Sequence, residues 1–598
     1  MLGLMTGRIA VCLLLAACAS YAEDGAAIFQ SKCSVCHASG GASQAPLPGA
    51  LRQLTWQAIL TALETGKMKA QGAALSAADR EAVAKYLGST TTEVIPRSAY
   101  CSPSSASTNS APAWNGWGVD PVNSRFQTAQ ASGLVREVIP KLKLKWAFGF
   151  PGATTAFATP TVVVGKLFVG SADGTVYSLN AQTGCIRWTF QASEGVRTAI
   201  LISSSGQTAY FGDLHANVYA LDVATGALRW KTHVEEHPYA TITGTPKLEA
   251  GRLYVPVSGG EEEVSAGNPA FVCCKFRGSI VALDAESGRQ VWKTYTIAEP
   301  AKMIGKTPAG VERWGPSGVS VWMSPTLDLA KRAIYVGTGV NFTDPPTKTS
   351  DAVLALDMDS GRMLWSQQFI SDDRYNFGCM SDKKGNCPEN PGQDMDFGAP
   401  PILRSIGGGR RVLIAGQKSG MVHALDPDHE GKVLWETRIG HGGGQGGVLW
   451  GAASDDRLAY FSVSDWDPIK PESGGGVFAL DLATGKRVWS TPAPKPACLG
   501  VTGCSAAQPG APTVIAGVVF AGSLDGHLRA YDTKSGAIIW DVDTLHDFET
   551  VNGIKARGGS MNGTGPTIAG GIVYVNSGYS RIPSIPGNVL LAFSVDGK

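Results

Sequence analysis

Ala220-Leu-Asp222-Val-Ala-Thr-Gly226-Ala-Leu-Arg-Trp230 decides the fold. A short apolar strand ends on Asp222, an Asp-to-Gly turn follows, and a second strand closes on a large aromatic; this is the pattern of a hairpin. The phrase recurs along the chain. It runs from Leu179-Asn180 to Trp188, Ala282-Leu-Asp284 to Trp292, and Ala355-Leu-Asp357 to Trp365. It continues from Ala424-Leu-Asp426 to Trp435, Ala479-Leu-Asp481 to Trp489, and Ala530-Tyr-Asp532 to Trp540. A second strand pair precedes most copies, as at Thr161 to Val169 around Gly165-Lys166. Four strands per repeat, every 40 to 70 residues or about that, predict a β-propeller.

Seven copies are complete, and an eighth starts at Val589-Leu-Leu-Ala-Phe593 but stops before any tryptophan. Leu142-Lys-Leu-Lys-Trp146, near the start of the array, can supply its missing outer strand. Joining both chain ends in one blade closes the ring and leaves no open sheet edge. The expectation is therefore an all-β eight-bladed propeller over 114–598. The repeated tryptophans are read as structural and carry no chemistry. With 74 glycines in 598 residues and 17% charged residues, the composition suits a chain of many tight turns. A net charge of +1 argues against nucleic acid or an anionic membrane surface as partner.

The first 22 residues have the layout of an export signal: Arg8, an apolar run from Ile9 to Ala17, and Ser20-Tyr21-Ala22 before Glu23. The run is too short to span a membrane, so no transmembrane segment is expected and the location is periplasmic. Leu15-Ala16-Ala17-Cys18 also resembles a lipobox, which would lipidate Cys18. Export permits disulfides. Cys273–Cys274, Cys379–Cys387 and Cys498–Cys504 are the local pairs, which leaves Cys101 to meet Cys185, although sequence cannot fix the connectivity.

Cys33-Ser-Val-Cys36-His37 is the attachment pattern of c-type haem: two thiols for thioethers and a histidine for the iron. A redox or zinc pair is the alternative, disfavoured by export and by the absence of a second cysteine pair nearby. Helical periodicity over Thr55 to Thr65, and Ser76 as N-cap of Ala77 to Leu87 with Gly88 as stop, complete a small all-α module over 23–88. It resembles class I cytochromes c, which supports Met68 as second iron ligand opposite His37; such ligation raises the potential and suits an electron acceptor. Residues 89–113, rich in Ser, Thr, Ala and Pro, read as a linker.

The propeller carries an ordered polar set: Thr241-Ile-Thr243-Gly, Gly259-Gly-Glu261-Glu-Glu263, Cys273-Cys274, Ser320-Val-Trp322, Gly337-Thr-Gly-Val-Asn341, Asp372-Asp373 and Gln417-Lys418. Linking adjacent cysteines forces the intervening peptide from its preferred geometry, a feature kept for function. This set resembles the pyrroloquinoline quinone (PQQ) alcohol dehydrogenases. The resemblance implies PQQ held between the Cys273–Cys274 ring and Trp322, contacts from Thr243 and Lys418, calcium on Glu261 and Asn341, and Asp373 as catalytic base. Glu262 or Glu263 could replace Glu261, and Asp372 could replace Asp373. A hard cation wants oxygen ligands and polarises a quinone carbonyl. A carboxylate can take the hydroxyl proton.

Two features refine the likeness. The cysteine pair follows Glu261 rather than preceding it, and the cytochrome module is N-terminal. Both resemble the branch that oxidises polyvinyl alcohol and passes electrons to cytochrome c. The implied reaction is oxidation of secondary hydroxyls to ketones, through PQQ and the fused haem to an external cytochrome c. A small-alcohol quinohaemoprotein dehydrogenase, or a non-catalytic propeller that binds partners, are the alternatives.

Overall fold

The computed structural model describes residues 24–37, 48–52, 54–64, 68–88, 93–102, 113–265, 268–380, 385–581 and 584–598. The expected export segment, and with it Cys18, lies outside them. Among the described residues no helix is long and apolar enough to cross a membrane.

Eight blades surround one axis. The first seven use strands in chain order, as in Thr161–Val163, Lys166–Gly170, Thr175–Asn180 and Ile186–Gln191. The eighth consists of Thr567–Ala569, Ile572–Ser577 and Val589–Ser594, and its outer strand is Lys143–Gly149 from the other end of the array. The closure expected from sequence is thus present, with Leu144 opposite Phe593 and Gly149 opposite Val589.

The repeated phrase is a latch between blades. Trp188 donates its indole N–H to the Val223 carbonyl in the next blade's turn, and Trp230 donates to Ala285. Trp435 and Trp489 do the same to Leu482 and Thr533, while Trp540 to Leu142 and Trp146 to Ala181 carry the pattern through the closing blade. The turn glycine is required on two counts. Gly226 has φ +75°, and a Cβ there would stand 2.7 Å from the Trp188 ring. Positive φ favours glycine, and the ring fills the space a side chain would take.

A segment the sequence did not single out ties the inner strands together. Residues 113–127 run around the inner strands, touching every blade: Trp114 pairs with Val162, and Asn115 Oδ1 accepts from Ile202. Lys247 donates to the Asp120 carbonyl, and Leu327, Leu403, Ser454 and Val514 donate backbone N–H groups to Pro121, Val122, Ser124 and Arg125. Gln127 reaches the Ile568 carbonyl of the eighth blade. Arg125 is fully buried yet satisfied, donating to Pro512, Trp117, Thr513 and Pro566 and stacking on Trp114 and Trp117. Such complete pairing is what allows a guanidinium to be buried.

The small module is helical, as expected. Trp56–Glu64 and Ala77–Leu87 pack around Ile28, Phe29, Ile59, Leu63 and Val83, with Ser76 accepting from the Asp79 N–H as N-cap. All four disulfides take the close pairing: 101–185, 273–274, 379–387 and 498–504.

Candidate active site on the ring axis

Antiparallel strands alternate direction, so turns between second and third strands share one face of the ring with the chain leaving each fourth strand. The candidate residues lie on that face. Lys418 occupies the turn between Arg410–Gly416 and Met421–Asp426, and Asp373 follows the fourth strand Met363–Gln368. Trp322 precedes the first strand Thr326–Asp328, while Thr243 donates its hydroxyl to the Trp322 carbonyl at 2.8 Å.

Lys418 is the hub. Its ammonium lies 3.0 Å from Asp394 Oδ1, 2.7 Å from Asp396 Oδ2 and 5.5 Å from the Trp322 ring centre. Burial alone would lower its pKa, but the two carboxylates outweigh that and raise it. The same site holds Glu262, Asp351 and Asp373. Burial first, then the neighbouring carboxylates Asp394 and Asp396, push Glu262 well above the usual range. Asp351 is pushed up in the same way by burial and by Asp373, Asp396 and Asp394. Asp351 is 0% exposed and neither of its oxygens has a hydrogen-bond partner.

Asp373 is buried, whereas Asp372 is exposed. Asp373 accepts from the backbone N–H of Asp394 at 3.2 Å and of Met395 at 2.7 Å. Burial raises its pKa, and those two bonds oppose the rise. Gly392 lies directly against its carboxylate, so that a Cβ at 392 would collide with Oδ1.

Two of the residues expected to hold calcium, Glu261 and Asn341, have protein partners in this structure. Glu261 is buried, but its Oε2 accepts from the backbone N–H groups of Lys275 at 2.8 Å and Phe276 at 2.7 Å, and its Oε1 faces His237. It fixes the strand next to the cysteine pair, and Glu262, one residue along the short helix Glu261–Ser265, is the carboxylate in the field of Lys418. Asn341 is also committed elsewhere. Its Oδ1 accepts from the Thr347 N–H and hydroxyl, and its Nδ2 donates to the Ser317 carbonyl. Both lone pairs of that amide oxygen are thus engaged by Thr347.

Asp394, Asp396, Asp351 and Arg197 were missed by the sequence reading. The first two sit in the long connection between the fourth strand ending at Gln368 and the strand starting at Ile402, stapled by Cys379–Cys387. A connection of that length carrying Asp-Met-Asp was the available signal. Arg197 is buried with its guanidinium 4.2 Å from the Trp450 ring, and its Nη2 has no partner. Trp450 in turn stands edge-on to Trp322, with centroids 5.2 Å apart.

Cys273 and Cys274 are bonded, joined by a cis peptide, and buried in the third-blade core beside Phe276 and Phe342. In the helical module Cys33 and Cys36 are half-buried and form no disulfide, His37 is buried, and Cys33 and Met68 pack on the same apolar cluster. Thioether-competent thiols, an imidazole and a thioether sulfur around one apolar cluster suit a haem.

Residues 142–275 and 349–598 match the family described as "Outer membrane protein assembly factor BamB", and residues 21–87 match "Cytochrome C oxidase, cbb3-type, subunit III". The ring therefore belongs to that repeat family. Along its length the chain is 40% identical to polyvinylalcohol dehydrogenase of Sphingopyxis sp. (strain 113P3), covering 96% of this chain and 93% of that one. The chain belongs to the polyvinyl alcohol dehydrogenase family. A second such enzyme, from a Pseudomonas sp, is 38% identical over 96% of this chain and 94% of its own. The quinohemoprotein alcohol dehydrogenase of Comamonas testosteroni is a more distant relative, 24% identical over 72% of this chain and 69% of its own. The crystal structure under that name covers 82% of each chain at a TM-score of 0.56 and 21% identity, which bears on the fold alone.

Among the described residues no three His, Cys, Asp or Glu side chains form a ready metal cage. The charge balance nevertheless suits a cation. Glu262, Asp351, Asp373, Asp394 and Asp396 share one buried site with a single ammonium, that of Lys418. A divalent ion would offset that excess. The flat Trp322 ring, the ammonium of Lys418 and the unpartnered Nη2 of Arg197 suit a planar anion.

Proposed function

We propose that this protein is a PQQ-dependent dehydrogenase that oxidises secondary hydroxyls of polyvinyl alcohol to ketones in the periplasm. Electrons pass to a haem on Cys33 and Cys36, with His37 and Met68 as iron ligands, and then to an external cytochrome c. The observation that carries this reading is the buried Trp322–Lys418–Asp394–Asp396 constellation beside Asp373 in a member of this family.

PQQ and calcium, when bound, supply the two-electron oxidant and the Lewis acid. Trp322 and the Cys273–Cys274 ring would orient the quinone plane, Thr243 fixes the Trp322 backbone, and Arg197 would meet a carboxylate. Glu262 would hold the metal, beside Asp396, which already accepts from the Val340 N–H and the Lys418 ammonium. In this assignment Glu261 and Asn341 serve as supports: one pins the strand after the cysteine pair, the other the turn at Thr347. Asp373 takes the hydroxyl proton. Its two backbone bonds hold the carboxylate in place, and burial keeps its basicity above that of a solvated aspartate. Lys418 presents positive charge to oxygen that gains electron density, and Asp394 and Asp396 hold the ammonium in place.

The test is spectroscopic. Protein loaded with PQQ and calcium is mixed with polyvinyl alcohol, a short secondary alcohol or a primary alcohol, and haem reduction is followed. Fastest reduction by the polymer is expected. Preference for short alcohols would move the protein to the small-alcohol reading, and no reduction by any alcohol would refute dehydrogenase activity.

A further inference from the structure

The chain between the two domains is not free along its whole length. Residues 93–101 lie against the outside of the ring, crossing it from one face to the other. At the upper end, Glu93 Oε2 accepts from the Gly152 N–H at 3.3 Å, just beyond the end of the fourth strand Lys143–Gly149, and so on the face that carries Lys418 and Asp373. Pro96 packs beside Gly553, and Ile95 and Ala99 join the core formed with Trp146 and Ile186, Ala99 being 2% exposed. At the lower end, Tyr100 pairs with Ile186, the Cys101 N–H donates to the Ile186 carbonyl at 2.8 Å, and Cys101 is bonded to Cys185. Cys185 belongs to the turn between third and fourth strands, on the opposite face.

Contacts at both ends and a covalent lock fix where the helical module is tethered. The last helix, Ala77–Leu87, ends at Gly88, and five residue steps separate Gly88 from the anchored Glu93. Five steps span at most about 17 Å. Were 93–101 released, the next anchored residue would be Trp114, about five times as far along the chain, and a flexible connection of that length has an end-to-end distance of about 28 Å.

We propose that the 93–101 strap, locked by Cys101–Cys185, is a positioning device that holds the cytochrome domain at the quinone-face rim of the propeller. This rests on the functional reading above. Each alcohol oxidised releases two electrons and two protons. The protons go to solvent, and the electrons cross singly, haem Fe(III) becoming Fe(II) and being reoxidised by the external cytochrome c between the two. The strap makes that crossing intramolecular at high effective concentration. Effective concentration falls as roughly the −3/2 power of tether length, so a fivefold longer tether lowers it by about tenfold.

The experiment compares the holoenzyme with its Cys101→Ser/Cys185→Ser variant and with a second variant that keeps the disulfide but carries a twenty-residue (roughly) Gly-Ser insertion after Gly88. Two readouts are taken. Small-angle scattering should show a larger maximum dimension in both variants. Stopped-flow mixing with alcohol should show haem reduction slowed by about tenfold in both, while reduction of a small phenazine dye at the ring stays unchanged. If the maximum dimension and the haem rate of the disulfide variant match those of the parent, the lock is refuted. If the insertion leaves both unchanged, a direct docking surface positions the haem and the strap does not. Failure of the functional reading is separate: no alcohol would then reduce haem or dye in the parent protein, while the scattering comparison would still test the strap.

Discussion

The helical module and the ring hold their chemistry in opposite ways. Cys33, Cys36 and His37 lie within five residues of each other, two of them on one turn of helix, and their roles follow from bonds that those side chains form themselves. The ring site draws Arg197, Thr243, Glu262, Trp322, Asp373, Asp396 and Lys418 from several blades and the connections between them, and Thr243, Asp373 and Lys418 are held by partners outside their own turns. A local motif survives changes elsewhere in the fold. An assembled site depends on every blade that delivers a residue.

The sharpest way to break this contrast is to remove the local motif. Cys33→Ala/Cys36→Ala protein should retain no covalent haem after denaturing electrophoresis, yet still pass electrons from alcohol to a dye at the ring. Loss of dye reduction would show that the two regions are not separable. At the ring, Asp373→Asn should lower alcohol oxidation by about 100- to 10,000-fold while the quinone absorbance is retained. Asp372→Asn is the control and should be unchanged, since that side chain faces solvent.

Removing the hub should cost stability as well as rate. Lys418→Ala leaves Asp394 and Asp396 buried without their cation, and the expected loss of about 3–5 kcal/mol can be read from the denaturant midpoint. The finest comparison is between neighbours on one short helix. Glu261→Gln removes charge from the acceptor of two backbone N–H groups and should cost about 1–3 kcal/mol of stability with little change in metal affinity. Glu262→Gln should do the reverse, weakening calcium binding in titration calorimetry by about tenfold with little change in the midpoint. If the two effects were exchanged, Glu261 would be the ligand through Oε1, the oxygen that takes neither backbone bond.

The ring was legible because its repeat is physical. Six of the seven repeated tryptophans make the same latch and the seventh, Trp365, packs on the turn glycine Gly431, so one phrase seen seven times specifies seven blades, and the missing aromatic of the eighth points to Trp146. The site was legible only in part. Trp322, Lys418 and Asp373 stand out from the repeat and are brought to one face. Glu261 and Glu262 cannot be separated by pattern, because a helix turns adjacent side chains through about 100° and only the placement of its axis decides which one enters the site. Asp394 and Asp396 lie in an irregular connection with no period to read, and Asn341 stands next to the residue that a Gly-x-Gly-Asn step would have favoured.

The sequence by itself determined the number of blades, their closure by both chain ends and the Cys-x-x-Cys-His pattern of the helical module, because each is written in local spacing or in a repeated contact. Tertiary structure alone decided which carboxylates surround Lys418, which glutamate bonds to the segment after the cysteine pair, and that 113–127 contact every inner strand while 93–101 lie against the ring. Those outcomes depend on partners that lie from 14 to 441 residues away, beyond any local pattern, and a buried polar group goes wherever the folded chain offers it a partner.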